Sequence, residues 1–187
     1  APYPSGPLHI GNAKQLILND EYAKKYNGKF LLVFDDTIGS KEKNIEPDAY
    51  KLIPEDVNWM GAKVSSVYYK SDRLEIYYKY ALDIINESKA YVCFCKAEDL
   101  RKNRKEGLDC KHRNQSIKEN IEYWQQMLAK KIKPGQAALR IKTSMIHPNP
   151  AFRDRVLFRI CDRKHPRTKN KYSVWPLLEF SWAIDDH

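Results

Sequence analysis

The sequence contains no run of eighteen or more apolar residues, so no helix is expected to span a membrane. Its start also lacks the basic-then-apolar layout of a secretory signal. Together these absences predict a soluble, intracellular protein with no membrane partner. Because the chain opens at Ala1 rather than a methionine and closes inside an apolar pattern, we expect it to be part of a longer protein.

Cysteine is scarce and unevenly placed. Cys93, Cys95 and Cys110 lie close together, and Cys161 stands apart. This distribution favours metal ligation in a reducing compartment over a disulfide framework, and it predicts a cytoplasmic location. Cys161 is predicted to be a core residue. The 187 residues suffice for one full domain, or one and a half small ones, and no metal ion or disulfide bond is needed for the chain to fold.

The net charge of +9 is concentrated in the middle of the chain. Residues 89–171 hold 22 of the 33 lysines and arginines but only 8 of the 24 acids, a balance of +14, which leaves −5 for the rest. Such a basic segment favours contact with a polyanion, RNA or DNA, because cations release the counterions condensed on phosphates. A solvated surface of a basic protein is the alternative.

The first part of the chain alternates between helical and strand patterns. Helical spacing from His9 to Tyr26 predicts a helix, and the apolar run Phe30–Phe34 predicts a buried strand that ends at Asp35 and Asp36. The pattern then predicts a helix from Glu46 to Met60, a strand from Val64 to Tyr69, and a helix to about Glu87 capped by Ser71. This alternation indicates an α/β fold with a doubly wound parallel sheet.

The pattern changes after Lys89. It predicts a cysteine-containing ribbon, a helix from about Ser116 to Lys130, and strands over Ala137–Thr143 and Val156–Cys161. We therefore predict three segments: 1–88 as the first half of a nucleotide-binding domain, 89–171 as an inserted α+β basic module, and 172–187 as a return into the first domain.

The strongest local motif is the segment Pro4-Ser5-Gly6-Pro7-Leu8-His9-Ile10-Gly11-Asn12. Gly6 permits a tight turn, and Gly11 lets the backbone approach a ligand in the first turn of a helix. His9 and Asn12 add donors beside the positive end of that helix, which predicts a phosphate site. Neither a Walker loop nor the Gly-x-Gly-x-x-Gly dinucleotide fingerprint is present.

This segment resembles the His-Ile-Gly-His signature of class I aminoacyl-tRNA synthetases in its glutamyl/glutaminyl form, with Asn12 in place of the last histidine. Other segments resemble the archaeal-type glutamyl-tRNA synthetases: Asn19–Ala23, Phe34–Thr37, Ser71–Arg73, Lys89–Cys93, His147–Pro150, His165–Thr168 and Ile184–His187. The resemblance implies a Rossmann-like catalytic domain, incomplete here, with an inserted module that binds the tRNA acceptor arm.

The resemblance also implies an activity. ATP, with Mg²⁺, would activate glutamate as glutamyl-adenylate, and the acyl group would pass to the 3′ end of tRNA(Glu), with tRNA(Gln) an open second partner and DNA excluded. His9 and Asn12 would be catalytic and would contact ATP together with Pro4 and Gly11. Asp35 would read the amino group of the substrate; capping of the following turn is its alternative role.

Ala1 and Tyr3 would line the same amino-acid pocket. The sequence departs from the family where an aromatic residue is expected, at Leu178, and the discriminating position falls at Trp182. The stretch Thr37–Ser40 also lacks the acid and proline that commonly follow. The arginine that pairs with the glutamate side chain in the family falls upstream of Ala1.

Cys93-x-Cys95 and, after fourteen residues, Cys110-x-His112 form a second cluster. Three thiolates and an imidazole make a closed tetrahedral set for a structural zinc ion, and the spacing resembles the zinc site of some glutamyl-tRNA synthetases. Free cysteines on a ribbon beside an exposed histidine are the alternative.

Basic residues of the same module would grip the acceptor arm through its shape and backbone. They are Arg101, Arg104, Lys111, Arg113, Arg153 and Arg155. Trp124 and Trp175 would either stack on bases or fill the core. Two other functions stay open: a glutaminyl-tRNA synthetase, and a noncatalytic zinc-ribbon RNA-binding module, which the absence of a Lys-Met-Ser-Lys-Ser-type loop would fit.

Overall fold

The structure is a computed structural model that describes residues 1–38 and 44–186. These residues form two compact units. The first comprises Ala1–Arg73 with His165–Lys169, and the second comprises Leu74–Lys164 with the described residues from Asn170 onward. The sequence-based segments 1–88, 89–171 and 172–187 stay a prediction.

The first unit contains a parallel pair of strands joined through a helix. Its elements are α1 (Ile10–Lys25), β1 (Leu31–Phe34), α2 (Ala49–Trp59), β2 (Ser66–Tyr69) and a 3-10 helix (Lys70–Asp72). Leu31 lies opposite Ser66 and Phe34 opposite Tyr69 in a parallel register. Leu32 and Phe34 pack with Ile53 and Val57 of α2 in one buried cluster. The predicted parallel α/β arrangement is therefore confirmed.

The second unit is built on an antiparallel sheet in the order β3-β4-β5-β6. Its elements are α3 (Leu74–Asn86), β3 (Ala90–Cys93), α4 (Ala97–Glu106), α5 (Ile117–Leu128), β4 (Ala138–Ile141), a 3-10 helix (Pro150–Phe152), β5 (Val156–Ile160), β6 (Val174–Pro176) and α6 (Leu178–Asp185). Trp124, Trp175 and Phe158 are fully buried in this unit, so the two tryptophans fill the core rather than offer faces to bases. Cys161 is buried, as predicted.

Two details differ from the sequence-based expectation. Ser71 does not cap a helix: it lies in the 3-10 helix Lys70–Asp72, and α3 begins at Leu74. The buried Ser71 hydroxyl donates instead to Asp36, at 2.7 Å between oxygens. Helix α4 was not predicted, because none of its residues is buried and no apolar stripe marks it.

Helix α5 begins where the sequence predicts. Ser116 is its N-cap, and a capping box joins it to Glu119: the serine hydroxyl accepts from the Glu119 amide at 3.2 Å, and the carboxylate accepts from the Ser116 amide at 2.8 Å. Among the residues described, no helix is long and apolar enough to cross a membrane.

Candidate functional site

The amino end of α1 carries the motif that the sequence singled out. His9 is the N-cap: its Nδ1 accepts from the Gly11 amide at 3.1 Å, and the Asn12 side-chain oxygen accepts from the His9 amide at 3.2 Å. Gly11 is required by this geometry, because a Cβ there would lie 2.8 Å from His9 Cε1. The segment therefore folds the two polar side chains back onto the first turn.

These bonds fix which donors the site offers. Because Nδ1 of His9 accepts a hydrogen bond, the neutral ring carries its proton on Nε2, and the amide NH₂ of Asn12 is that side chain's donor group. No acidic residue occupies the first turn of α1, and His9 and Gly11 are exposed. The positive end of the helix is thus suited to an anion such as a phosphate.

The segment before α1 is fastened to its own unit by backbone hydrogen bonds. The Asp35 amide donates to the Pro2 carbonyl at 3.0 Å, and the Glu46 amide donates to the carbonyl of the buried Pro4 at 2.9 Å. The Leu8 amide donates to a carboxylate oxygen of Asp56 at 2.7 Å. Residues 1–8 are thereby held beside the end of β1, with Tyr3 half-buried among them.

A cavity of about 440 Å³ adjoins this segment within the first unit. Ala1 and Asn12, both predicted site residues, contribute to its lining, and the apolar part of the lining includes Leu16, Phe30 and Val57. The cavity therefore brings one predicted amino-acid-binding residue and one predicted catalytic residue to the same space.

Asp35 follows β1 and forms an ion pair with Lys70, whose Nζ lies 3.3 Å from Asp35 Oδ1. The Lys70 side chain is fully buried, and that of Asp35 is 13% exposed. Sequence reasoning missed Lys70, because a lysine after a strand is ordinarily a solvated residue. The carboxylate and this buried cation thus form a close ion pair directly after β1.

Asp36, the second acid after β1, is a fully buried hub. Its carboxylate accepts from the Ser71 amide at 2.8 Å, from the Ser71 hydroxyl at 2.7 Å and from the Tyr50 hydroxyl at 3.0 Å. Burial, and then the charge of Asp36, raise the pKa of Tyr50 far above its usual range, so this phenol stays a donor. Asp36 therefore anchors the turn on which Asp35 sits.

His165 holds the same turn from a distant part of the chain. Its buried ring places Nε2 2.8 Å from the Asp36 backbone oxygen, while Nδ1 accepts from the Arg167 and Thr168 amides at 3.1 and 3.2 Å. Because Nδ1 accepts twice, Nε2 carries the proton and donates. Burial lowers the pKa of His165, so the ring is neutral at physiological pH.

Arg167 adds a charged clamp to this unit. Its guanidinium forms two hydrogen bonds with the Asp72 carboxylate, at 3.0 and 2.9 Å, and lies 3.7 Å from the centre of the Tyr69 ring. In the sequence, His165–Thr168 stood out only as a family match, and Ser71–Arg73 as a family match that contains a predicted helix cap. Their shared role around Asp36 carries no local signal, because the partners are far apart along the chain.

The structure brings together all four predicted metal ligands. The sulfurs of Cys93, Cys95 and Cys110 and a ring nitrogen of His112 all lie within 4.8 Å of one another. The Cys93 and Cys110 sulfurs are 3.7 Å apart, and His112 Nδ1 is 3.8 Å from the Cys93 sulfur and 3.4 Å from the Cys95 sulfur.

These separations fit a zinc ion. Zn–S bonds of about 2.3 Å in a tetrahedron place two ligand sulfurs about 3.8 Å apart. The hydrogen bond between the Cys93 and Cys110 sulfurs lowers the pKa of Cys110 and, together with burial, raises the pKa of Cys93. The donor set and its spacing therefore suit a closed structural site.

Most of the six predicted tRNA-binding residues have partners within the protein. Arg104 donates to the carbonyls of Arg153 and Pro150, and Arg153 donates to that of His147. Two others are ion-paired: Arg113 with Asp154, and Arg155 with Glu179. Arg101 and Lys111 are exposed.

Leu178 and Trp182, predicted for the amino-acid pocket, lie on α6 of the second unit. Leu178 is 50% exposed and Trp182 is half-buried. Gly39 and Ser40, from the stretch Thr37–Ser40, and His187, from the segment Ile184–His187, lie outside the described residues.

Parallel strands joined through a helix, with the segment before α1 tied to the residue after the first strand, define an α/β protein. A family model described as "tRNA synthetases class I (E and Q), catalytic domain" matches residues 1–187, and the chain belongs to that family.

Similar proteins include glutamate–tRNA ligases of archaea. That of Pyrococcus horikoshii is 53% identical and that of Methanocaldococcus jannaschii 46%, each over the whole of this chain. The chain spans about a third of the length of these relatives, 33% in both cases.

A solved structure shares the fold. It is a glutamate tRNA ligase from Elizabethkingia meningosepticum in complex with its amino acid, 24% identical, with a TM-score of 0.63 over all of this chain and 40% of that one.

Proposed function

We propose that the whole protein containing this chain is a glutamate–tRNA ligase. The observation that carries the proposal is the capped amino end of α1, where His9, Gly11 and Asn12 offer hydrogen-bond donors and no acidic residue lies in the first turn. The family match and the names of the archaeal relatives supply the reaction: glutamate, ATP and tRNA.

In the first step a carboxylate oxygen of glutamate attacks the α-phosphorus of ATP, and pyrophosphate leaves. His9 Nε2 and the Asn12 amide donate to the phosphate oxygens, where negative charge accumulates in the transition state. Gly11 lets the backbone come close, and Pro4 shapes the turn beside it. Mg²⁺ accompanies ATP and offsets its charge.

The substrate's α-amino group is assigned to Asp35. Its carboxylate, which pairs with the buried Lys70, offers a negative partner for an ammonium group. Ala1 and Tyr3 line the same pocket in this proposal, whereas Leu178 and Trp182 stay predictions from the sequence. Catalysis of this step thus rests on positioning the substrates and on electrostatic stabilisation, with no covalent enzyme intermediate.

In the second step a hydroxyl of the terminal ribose of tRNA(Glu) attacks the adenylate carbonyl, and AMP leaves. Of the predicted tRNA-binding residues, Arg101 and Lys111 are exposed and could contact the tRNA phosphates directly. Arg104, Arg113, Arg153 and Arg155 would contribute while they keep their contacts within the protein. tRNA(Gln) and a cytoplasmic location stay predictions from the sequence.

We also propose that Cys93, Cys95, Cys110 and His112 hold a structural Zn²⁺. Such an ion would fasten β3 to the chain on either side of α4, with no open coordination position for catalysis.

The test is ATP–pyrophosphate exchange by the full-length protein, with tRNA present, using glutamate, glutamine or no amino acid. Glutamate-dependent exchange should fall at least a hundredfold in His9→Ala. His147→Ala, a histidine of the second unit, is the matched control and should keep normal exchange. Glutamine-dependent exchange would instead identify a glutaminyl enzyme.

A noncatalytic RNA-binding module is the second candidate, favoured by the basic middle segment. It predicts tRNA binding that weakens with salt but no exchange with either amino acid. Binding without exchange in the full-length protein would replace the enzyme proposal with this one.

A further inference from the structure

We propose that Arg140 is the built-in counter-cation of the metal centre: its buried guanidinium neutralises the charge of the thiolate ligands and orients two of them. This inference rests on the zinc site proposed above, and it adds a residue outside the ligand set. No signal in the sequence separates Arg140 from the other basic residues of the module.

Arg140 lies on β4 and is 1% exposed. Its Nη1 is 3.8 Å from the Cys93 sulfur and 3.7 Å from the Cys110 sulfur, both within hydrogen-bond reach of a sulfur acceptor. One nitrogen therefore contacts two of the three sulfurs. Because β3 and β4 are antiparallel neighbours, with Tyr91 opposite Arg140, the sheet register itself delivers the guanidinium to the cluster.

Two further contacts fix the guanidinium in place. Its Nε donates to the Asp154 backbone oxygen at 3.1 Å, and its central carbon lies 5.3 Å from the centre of the Tyr91 ring. The planar guanidinium is held by the hydrogen bond at Nε and by the Tyr91 ring. It therefore has less freedom to move than the ammonium of a lysine would have. The orientation toward the sulfurs is thus set before any metal arrives.

The charge balance explains why a cation belongs there. Zn²⁺ with three thiolates and a neutral imidazole carries a net charge of −1, and an unbalanced charge is costly in a buried place. The nearby Asp154 carboxylate is already paired with Arg113, at 2.9 Å. In these contacts Arg140 reaches Asp154 only through the backbone oxygen. The positive charge of Arg140 is therefore available to balance the thiolates.

Orientation is the second contribution. Residues that hydrogen-bond to metal ligands typically change metal affinity 10–100-fold when they are removed. By donating to Cys93 and Cys110 at once, Arg140 holds these two sulfurs at the separation that a tetrahedral ion needs. We therefore expect it to act on metal affinity and not on the number of ligands.

The test is zinc affinity of the full-length protein, measured by competition with a chromogenic chelator. Arg140→Met, which keeps much of the side chain's length and removes the charge, should weaken zinc binding about 10–100-fold. Arg159→Met, an exposed arginine on the neighbouring strand β5, is the matched control and should bind zinc like the wild type. Circular dichroism at saturating zinc shows whether each variant is folded.

Wild-type affinity in a folded Arg140→Met protein would overturn the inference and leave the zinc site standing. A wild-type protein that binds no zinc would overturn the zinc proposal itself, and this inference with it. If Arg140→Met does not fold, Arg140→Lys decides: affinity within about tenfold of wild type supports the counter-cation, and any larger loss refutes a role of charge.

Discussion

Replacing His165 with alanine should destabilise the first unit, because this residue ties the segment His165–Lys169 to the turn after β1. The substitution removes the donor to the Asp36 backbone oxygen, a 2.8 Å bond between two fully buried residues. It also removes the acceptor of two backbone amides, those of Arg167 and Thr168.

The magnitude follows from the groups left behind. A buried polar group that loses its partner costs about 1–3 kcal/mol. The two amides are only partly buried and regain some hydrogen bonding to water, while the space left by the ring adds a cavity cost. We expect a total loss of about 3 kcal/mol in the free energy of unfolding.

The effect should also depend on pH with a defined sign. Burial lowers the pKa of His165 in the folded state below its ordinary value of 6.5, so the unfolded chain binds this proton more readily. The stability is therefore fully present above about pH 6.5 and falls as the pH drops below it, by at most about 1.4 kcal/mol per pH unit. His165→Ala should lack this part of the decline.

Hydrogen exchange of the full-length protein, read by mass spectrometry from pH 7.5 to 5, resolves each unit separately. Protection should drop in peptides covering β1 and β2. His147→Ala is the control, because that half-buried ring makes local contacts: it accepts from the Asn149 amide at 3.1 Å and packs against Phe152. A change below about 0.5 kcal/mol, or an unaltered pH profile in His165→Ala, would refute the reasoning.

Three further predictions concern other parts of the chain. Cys95→Ala should reduce zinc bound per protein to near zero by atomic absorption, whereas Cys161→Ala should leave it unchanged; equal zinc in both would rule out the assigned ligands. Gly11→Ala should reduce ATP–pyrophosphate exchange at least tenfold, because the added Cβ displaces the His9 ring. Gly28→Ala is the control and should keep the normal rate, because its Cβ would lie 3.8 Å from its nearest neighbour. Equal rates in the two variants would argue against the capped geometry. Ser116→Ala should cost about 1 kcal/mol in urea unfolding because the N-cap of α5 is lost, with exposed Ser65→Ala unaffected.

Features that depend on neighbouring residues could be predicted from the amino-acid sequence. Helical spacing marked α1, the apolar run marked β1, and the change of pattern marked a helix from about Ser116, because such patterns are set within a few residues. The spacing of the cysteines and His112 was likewise enough to indicate the metal cluster, since a short loop can bring such pairs together.

Tertiary structure decided which distant groups meet. Asp36 bonds to Ser71, 35 residues away, and to His165, 129 residues away. Arg104 and Arg153, basic residues predicted for RNA, donate to backbone carbonyls, and Arg140 lies buried against the cysteine sulfurs. A lysine or arginine gives no local sign of its partner, because its long side chain takes whichever acceptor strand register and helix packing bring within reach.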